Sequence, residues 1–121
     1  VQHISGNSTY EVRYSPDGSQ LAILDIDYNL IIYDSDTFQE QQRAEIGISD
    51  SISWSPDGQQ IAFVGYEGDT QTLMVYDLQT EQLSELFIDE SLDGAAWSPD
   101  GNQIAVQINH ELHLIDAPNA E

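Results

Sequence analysis

Ser-Pro-Asp-Gly occurs three times in this chain, at residues 15–18, 55–58 and 98–101, so that successive copies stand 40 and 43 residues apart. A repeat of that length constrains the fold more than any single residue does, because each copy must form the same unit and stack on its neighbour. The surroundings repeat in register. An aromatic precedes each copy (Tyr14, Trp54, Trp97), and Gln-Leu-Ala or Gln-Ile-Ala begins at Gln20, Gln60 and Gln103. Apolar runs then end in Asp34, Asp77 and Asp116.

Each repeat reads as strand, tight turn, strand, loop, strand, turn, strand. The first strand ends in the aromatic: residues 10–14, 51–54 and 95–97. Ser-Pro-Asp-Gly fits a type I turn, with proline fixing φ at the second position and glycine free to take positive φ at the end. The second strands, 21–26, 61–66 and 104–108, are nearly all apolar, as suits a strand covered on both faces. The third strands end in the aspartates, whose side chains can bond their own backbone and start the next turn. Fourth strands fall at 42–46 and 83–88. Residues 37–46 hold good helix formers, but their register with 80–89 favours strand. Four short strands per repeat of about 40 residues is the signature of a propeller blade.

The balance of 22 Asp+Glu against 2 Lys+Arg, a formal charge of −20, narrows the partners. Both cations are arginines, Arg13 and Arg43. Phosphate backbones and anionic membrane surfaces are recognised through Lys and Arg, so neither nucleic acid nor a membrane is an expected partner. The absence of cysteine removes disulfides, thiol catalysis and Cys-based zinc sites. The first residue is Val1 rather than Met, which raises the expectation of a fragment or processed product.

Trp-Ser-Pro-Asp-Gly-x-x-Ile-Ala, followed by an apolar strand ending in Tyr-Asp-Leu-x-Thr, resembles the TolB-type, WD-like β-propeller repeat of bacterial proteins. The resemblance covers essentially the whole chain and rests on the structural positions Tyr14, Pro16, Asp17 and Gly18, then Trp54, Pro56, Asp57 and Gly58, then Trp97, Pro99, Asp100 and Gly101. It implies a propeller used as a recognition surface, or as a cap beside a hydrolase domain. Tyr14 stands where the family prefers Trp. Phe38 and Glu81 stand where the family usually has Gly, which predicts a looser third turn there. These residues contain no counterpart of TolB's separate N-terminal domain, so that protein's envelope role does not carry over.

The expected architecture is all-β: three four-stranded blades, with 9–48, 49–91 and 92–121 as successive blades and 1–8 as an outer strand that has lost its own blade. The third blade then lacks its outer strand. Propellers typically have about four to eight blades, so a six-bladed ring formed by a homodimer is expected, with a nine-bladed trimer as the alternative.

Nothing in the chain has the form of a catalytic centre, and no metal or cofactor is expected. His110-Glu111-Leu112-His113 is one residue short of the helical zinc signature. Asp25-Ile26-Asp27-Tyr28-Asn29 begins like a calcium loop, but Leu30 stands where glycine is required. A solvated loop is the better reading of it. There is no nucleophile elbow and no Gly-rich phosphate loop. Trp54 and Trp97, fixed before their turns, read as packing between blades. The loops joining second to third strands vary most: 25–29, 65–72 and 109–111. Variable loops on a rigid scaffold are where binding residues usually sit, which singles out Tyr66, Glu67, Asp69, Asp25, Asp27 and His110. The functional expectation is a non-enzymatic repeat scaffold that self-assembles by strand exchange and takes a protein or small ligand on one face. The alternative is a fragment of a larger propeller-containing enzyme or periplasmic sensor.

Overall fold

The computed structural model describes residues 8–89 and 91–118. Within them the chain forms three antiparallel sheets, each ordered as the strands occur in sequence. Blade 1 comprises β1 (Thr9–Tyr14), β2 (Gln20–Asp25), β3 (Asn29–Asp34) and β4 (Glu40–Glu45). Blade 2 comprises β5 (Ser49–Trp54), β6 (Gln60–Glu67), β7 (Thr70–Asp77) and β8 (Gln82–Asp89). Blade 3 has β9 (Leu92–Trp97), β10 (Gln103–Ile108) and β11 (Glu111–Asp116). Its missing partner strand leaves β11 as a sheet edge among the described residues. The helix formers of residues 37–46 lie in β4, where cross-strand pairing overrides their propensity. The expected outer strand in residues 1–8 lies almost wholly outside the described residues.

The three Ser-Pro-Asp-Gly turns are built alike. Ser15, Ser55 and Ser98 each donate a hydroxyl to the aspartate two residues on, at 2.8, 2.6 and 2.7 Å. The same hydroxyl oxygens accept the amides of Gln20, Gln60 and Gln103 at 3.0, 3.0 and 3.1 Å. Each aspartate also accepts the amide that follows the glycine, from Ser19, Gln59 or Asn102. The glycines adopt φ of +78°, +73° and +79°, a region costly for a residue with a Cβ.

The turns after β3 and β7 are not looser, contrary to the expectation. Phe38 and Glu81 take φ of +56° and +58° and donate their amides to Asp34 and Asp77 carbonyls, each at 2.8 Å. The glycine geometry is kept, and two residues with side chains occupy it because Asp34 and Asp77 hold the turns from within. Asp34 Oδ1 accepts the amides of Asp36 and Thr37, and Asp77 Oδ1 those of Gln79 and Thr80.

Alternation along each central strand sends side chains to two packed faces. Ala22, Leu24, Leu30 and Ile32 of blade 1 meet Ile52, Trp54, Ile61, Phe63 and Tyr76 of blade 2. The next face of blade 2, with Ala62, Val64, Leu73 and Val75, meets Leu92, Ile104 and Val106 of blade 3. The corresponding face of blade 3 has no such cover. Leu112 and Leu114 are 74% and 59% exposed, whereas Leu73 and Val75 at the same positions are 0% and 2% exposed. The expectation that every second strand is covered on both faces therefore fails for β10, where Gln107 is exposed and Ala105 half-buried. At the other end, Tyr14 is 60% exposed while Trp54, its counterpart, is 8% exposed.

Trp54 lies between blades and donates Nε1–H to the Arg13 carbonyl at 3.2 Å. Trp54→Ala should cost about 3–5 kcal/mol in a denaturant titration, whereas Asp69→Ala at an exposed hairpin tip should change stability by less than about 0.5 kcal/mol. Equal effects would contradict this packing.

Backbone amides of Ser19, Thr37 and Thr80 and the Ser98 hydroxyl are the largest influences holding Asp17, Asp34, Asp77 and Asp100, respectively, below the ordinary carboxylate value of 3.8. A lowered folded-state value stabilises the fold above the unfolded value, and that stabilisation is lost as pH falls through the folded one. Discharging the net charge between pH 7 and the isoelectric point near 4.1 acts in the opposite direction, by relieving repulsion. The melting temperature, followed by circular dichroism, should rise on moderate acidification and fall below pH 3.8. A continuous rise through that value would refute the role of the turns.

Candidate functional site

The hairpins joining second to third strands lie at one end of the blades and differ in kind. The segment expected as the longest loop, 65–72, is mostly strand: β6 runs to Glu67 and β7 begins at Thr70. Only Gly68 and Asp69 turn the chain, with Gly68 at φ +59°. Extended pairing of Tyr66 with Gln71 and Glu67 with Thr70 forms this longer hairpin. The β10–β11 hairpin turns on Asn109 and His110, at φ +54° and +69°, the pattern of a type I′ turn.

These two hairpins and the start of β9 enclose a cleft of about 250 Å³ between blades 2 and 3, lined by Tyr66, Gln71, Ser91, Leu92, Asp93, Asn109 and His110. Of the six residues singled out in the sequence, Tyr66 and His110 are thus brought together. Glu67 lines a neighbouring hollow with Ile46, Ile48 and Met74. Asp69 is exposed at the hairpin tip, and Asp27 is exposed in the blade 1 hairpin. Asp25 requires a correction. It is fully buried at the end of β2, not solvated in a loop, and its Oδ1 accepts the amides of Asp27 and Asn29, each at 3.0 Å. That bonding shapes the turn in which Tyr28 takes φ +68°.

Tyr66 is the best-defined side chain of the cleft. Its hydroxyl donates to Asp50 Oδ2 at 2.9 Å. Burial, then the hydrogen bond to Asp50 and the charges of Asp50 and Asp93, push its pKa up to about 12. Asp50 Oδ1 and Gln71 Oε1 are buried acceptors without a partner among the described residues. Asp50 also borders a broader hollow along β1 and β5, with Glu11, Arg13 and Ser51. There the Glu11 carboxylate accepts the amides of Ser51 and Ile52 at 2.9 and 2.8 Å, linking blade 1 to a bulge in blade 2 where Ser51 has φ +61°.

Asp50 and Asp93 were not among the sequence candidates, yet a signal for them exists. Each stands four residues before its tryptophan and precedes a residue of positive φ, Ser51 or Gly94. The cleft offers the Asp93 carboxylate, the side-chain amides of Gln71 and Asn109, a phenol and an imidazole, which suits polar recognition. No group of three or more possible metal ligands occurs among the described residues.

Tyr66→Phe should cost about 1–3 kcal/mol in thermal or denaturant unfolding, because Asp50 loses the donor to its carboxylate. Asp50→Asn should bring the tyrosinate absorbance transition of Tyr66 down from about 12 while leaving it above the ordinary 10.0, since burial is the larger cause. An unchanged transition would show that Asp50 does not act on Tyr66.

No protein-family model and no curated protein sequence matches the chain. Solved structures do. TolB from Acinetobacter baumannii is 18% identical, with a TM-score of 0.77 over 95% of this chain and 31% of its own. The β-propeller domain of Cps50 (Swd1) from Myceliophteria thermophila is 21% identical, with a TM-score of 0.73 over 98% of this chain and 39% of its own. The β-propeller domain of the Trilobed protease from Pyrococcus furiosus, described as having an open velcro topology, is 13% identical, with a TM-score of 0.71 over 95% of this chain and 41% of its own. The chain thus spans between 31% and 41% of the lengths of these three structures. Together with the three blades, these likenesses establish the fold of the chain as a TolB-like, WD-like β-propeller.

Proposed function

We propose that the chain is a non-enzymatic propeller scaffold, joined to further blades through its end faces and recognising a protein or small ligand at its hairpin end. One observation carries this reading: positions buried between blades 1 and 2, and between blades 2 and 3, are exposed on the far side of blade 3. Leaving Leu112 and Leu114 in water forgoes stabilisation of about 1.5–3 kcal/mol for each fully buried side chain, so further apolar cover is favoured. The carboxylates of the hairpin end and the overall charge of −20 favour a ligand with cationic or hydrogen-bond donor groups. The cleft beside Tyr66 and His110 is the place for it.

A second reading is that the three blades are a piece of a larger propeller-containing enzyme or sensor, with its functional residues on other blades. The share of the similar structures that the chain spans, 31% to 41%, favours it. Sedimentation combined with near-ultraviolet circular dichroism separates the two. The scaffold reading expects a folded species of one size, larger than the 13.5 kDa chain, that unfolds cooperatively. A well-folded monomer would overturn self-assembly, and a molten or aggregated chain would favour the larger-propeller reading.

A further inference from the structure

The geometry points to a peptide-binding hollow between blades 1 and 2: one apolar side chain of a partner protein seats over Gly65, and flanking Lys or Arg residues meet Glu67 and Glu85. This rests on the reading that the hairpin end recognises a ligand. It adds a contact on the other face of β6 from the cleft of Tyr66 and His110, and it names the ligand as a basic, apolar peptide.

Gly65 is a glycine that neither backbone nor packing demands. It lies inside β6, where glycine weakens a strand and often marks the close approach of a ligand or another backbone. It does not take positive φ. A Cβ there would meet Met74 Cγ at 3.7 Å, and Ser49 Oγ and the Thr72 carbonyl oxygen at 4.0 Å, all ordinary contacts. The repeat shows what the position can hold. Asp25, Gly65 and Ile108 each stand five residues after the glutamine that opens the second strand. Asp25 is buried and bonds its turn, and Ile108 packs against the core between blades 2 and 3. Between blades 1 and 2 the same place carries no side chain.

A hollow of about 190 Å³ opens at that place, with Ile46, Ile48 and Met74 as its apolar walls and the exposed Glu67 and Glu85 on its border. Ile46 and Met74 also pack against the core beneath it. Strand pairing extends the apolar border, since Ile88 pairs with Thr72 and, like Ile48, is exposed. An apolar cavity of about 150 Å³ accepts a benzene ring, whereas sites for drug-sized ligands start near ~300 Å³. The hollow therefore suits a single aromatic or branched aliphatic side chain. Charge selects the residues on either side of that anchor. The chain has no lysine, and its two arginines pair with Glu11 and Glu40. Neither arginine borders the hollow. A second copy would bring its own charge of −20 against Glu67 and Glu85, whereas a basic peptide meets them with opposite charge.

The probe is acetyl-Lys-Lys-Phe-Lys-Lys-amide, titrated into the isotope-labelled chain and followed by amide chemical shifts. Saturable shifts should centre on Ile48, Gly65 and Met74. Replacing the peptide's Phe by Ala should weaken binding by about tenfold or more, the loss expected for one buried ring. Replacing its lysines by serine should also weaken binding, and equal affinity for the serine peptide would overturn the choice of a basic ligand. Gly65→Ile, a side chain that the repeat accommodates at Ile108, should abolish the shifts while the melting temperature holds or rises. Gly65→Ala adds only a Cβ and should weaken binding by about threefold or more, which keeps the test decisive if the larger side chain disturbs the fold. Binding indifferent to Gly65→Ala and to loss of the Phe would overturn the hollow. Shifts centred instead on Tyr66, Asp93 and His110 would reject it while keeping recognition in the cleft, and no binding by any of these peptides would count against both. Shifts of Ile48 and Gly65 on dilution of the chain alone would put a second copy in the hollow and overturn the choice of occupant.

Discussion

A sheet that is apolar on both faces cannot stand alone in water, and every blade here has such a centre. In β2, Ala22 and Leu24 face one way and Ile23 the other, and all are buried. In β6, Ile61 and Phe63 face blade 1 while Ala62 and Val64 face blade 3. Strands of this kind exist only inside a stack, so the blades are not independent units that happen to touch. Polar residues are left for the outer strands, and β4 shows it, with no fully buried side chain. The exposure of Leu112 and Leu114 follows from the same constraint, since their repeat positions are built to be covered.

The charge of −20 opposes this stacking, and the arrangement of the acids shows how the opposition is contained. Many carboxylates are engaged locally rather than spread as bare surface charge. Asp17, Asp57 and Asp100 close the three hairpin turns, Asp34 and Asp77 close the turns after the third strands, and Glu11 links two blades. Repulsion between exposed charges fades over a Debye length of about 8–10 Å at ordinary ionic strength, whereas a hydrogen bond at 2.6–3.0 Å is hardly screened. The short-range use of the acids therefore prevails in salt, and the long-range repulsion matters most when salt is low.

The blades were legible because their signals are local and repeated: a proline and a glycine at fixed places in a turn, a serine and an aspartate able to bond across it, and apolar strands on either side. What was not legible depended on tertiary context. Nothing in the identity of Phe38 or Glu81 announces positive φ, which those residues accept because Asp34 and Asp77 bond the turn around them. The polar, Gly-containing stretch 65–72 looks like a loop, yet it pairs into a longer hairpin. Asp25 looks like one ligand of a solvated loop, but its position at the end of a central strand buries it and turns its carboxylate onto the backbone. The cleft was half legible, since Tyr66 and His110 stand in variable segments. Asp50 and Gln71 emerge only when neighbouring strands are placed together.

The two junctions between blades are not fastened alike. Between blades 1 and 2 run the Glu11 bonds to Ser51 and Ile52, the Trp54 bond to Arg13 and the Tyr76–Gln42 clasp. Between blades 2 and 3, Trp97 donates its amide to Ser53 Oγ at 3.3 Å, while its Nε1 is buried without a partner among the described residues. Ile115 replaces the clasp tyrosine there, and Ser51 stands in blade 2 where Glu11 stands in blade 1. The second junction thus depends more heavily on its apolar face, through Val64, Leu73, Leu92, Ile104 and Val106. Apolar burial is non-directional, whereas the hydrogen bonds of the first junction specify one geometry. The cleft that holds Tyr66 and His110 opens at the junction with fewer polar ties. That places the cleft where blades can adjust with the least disruption of directed bonds.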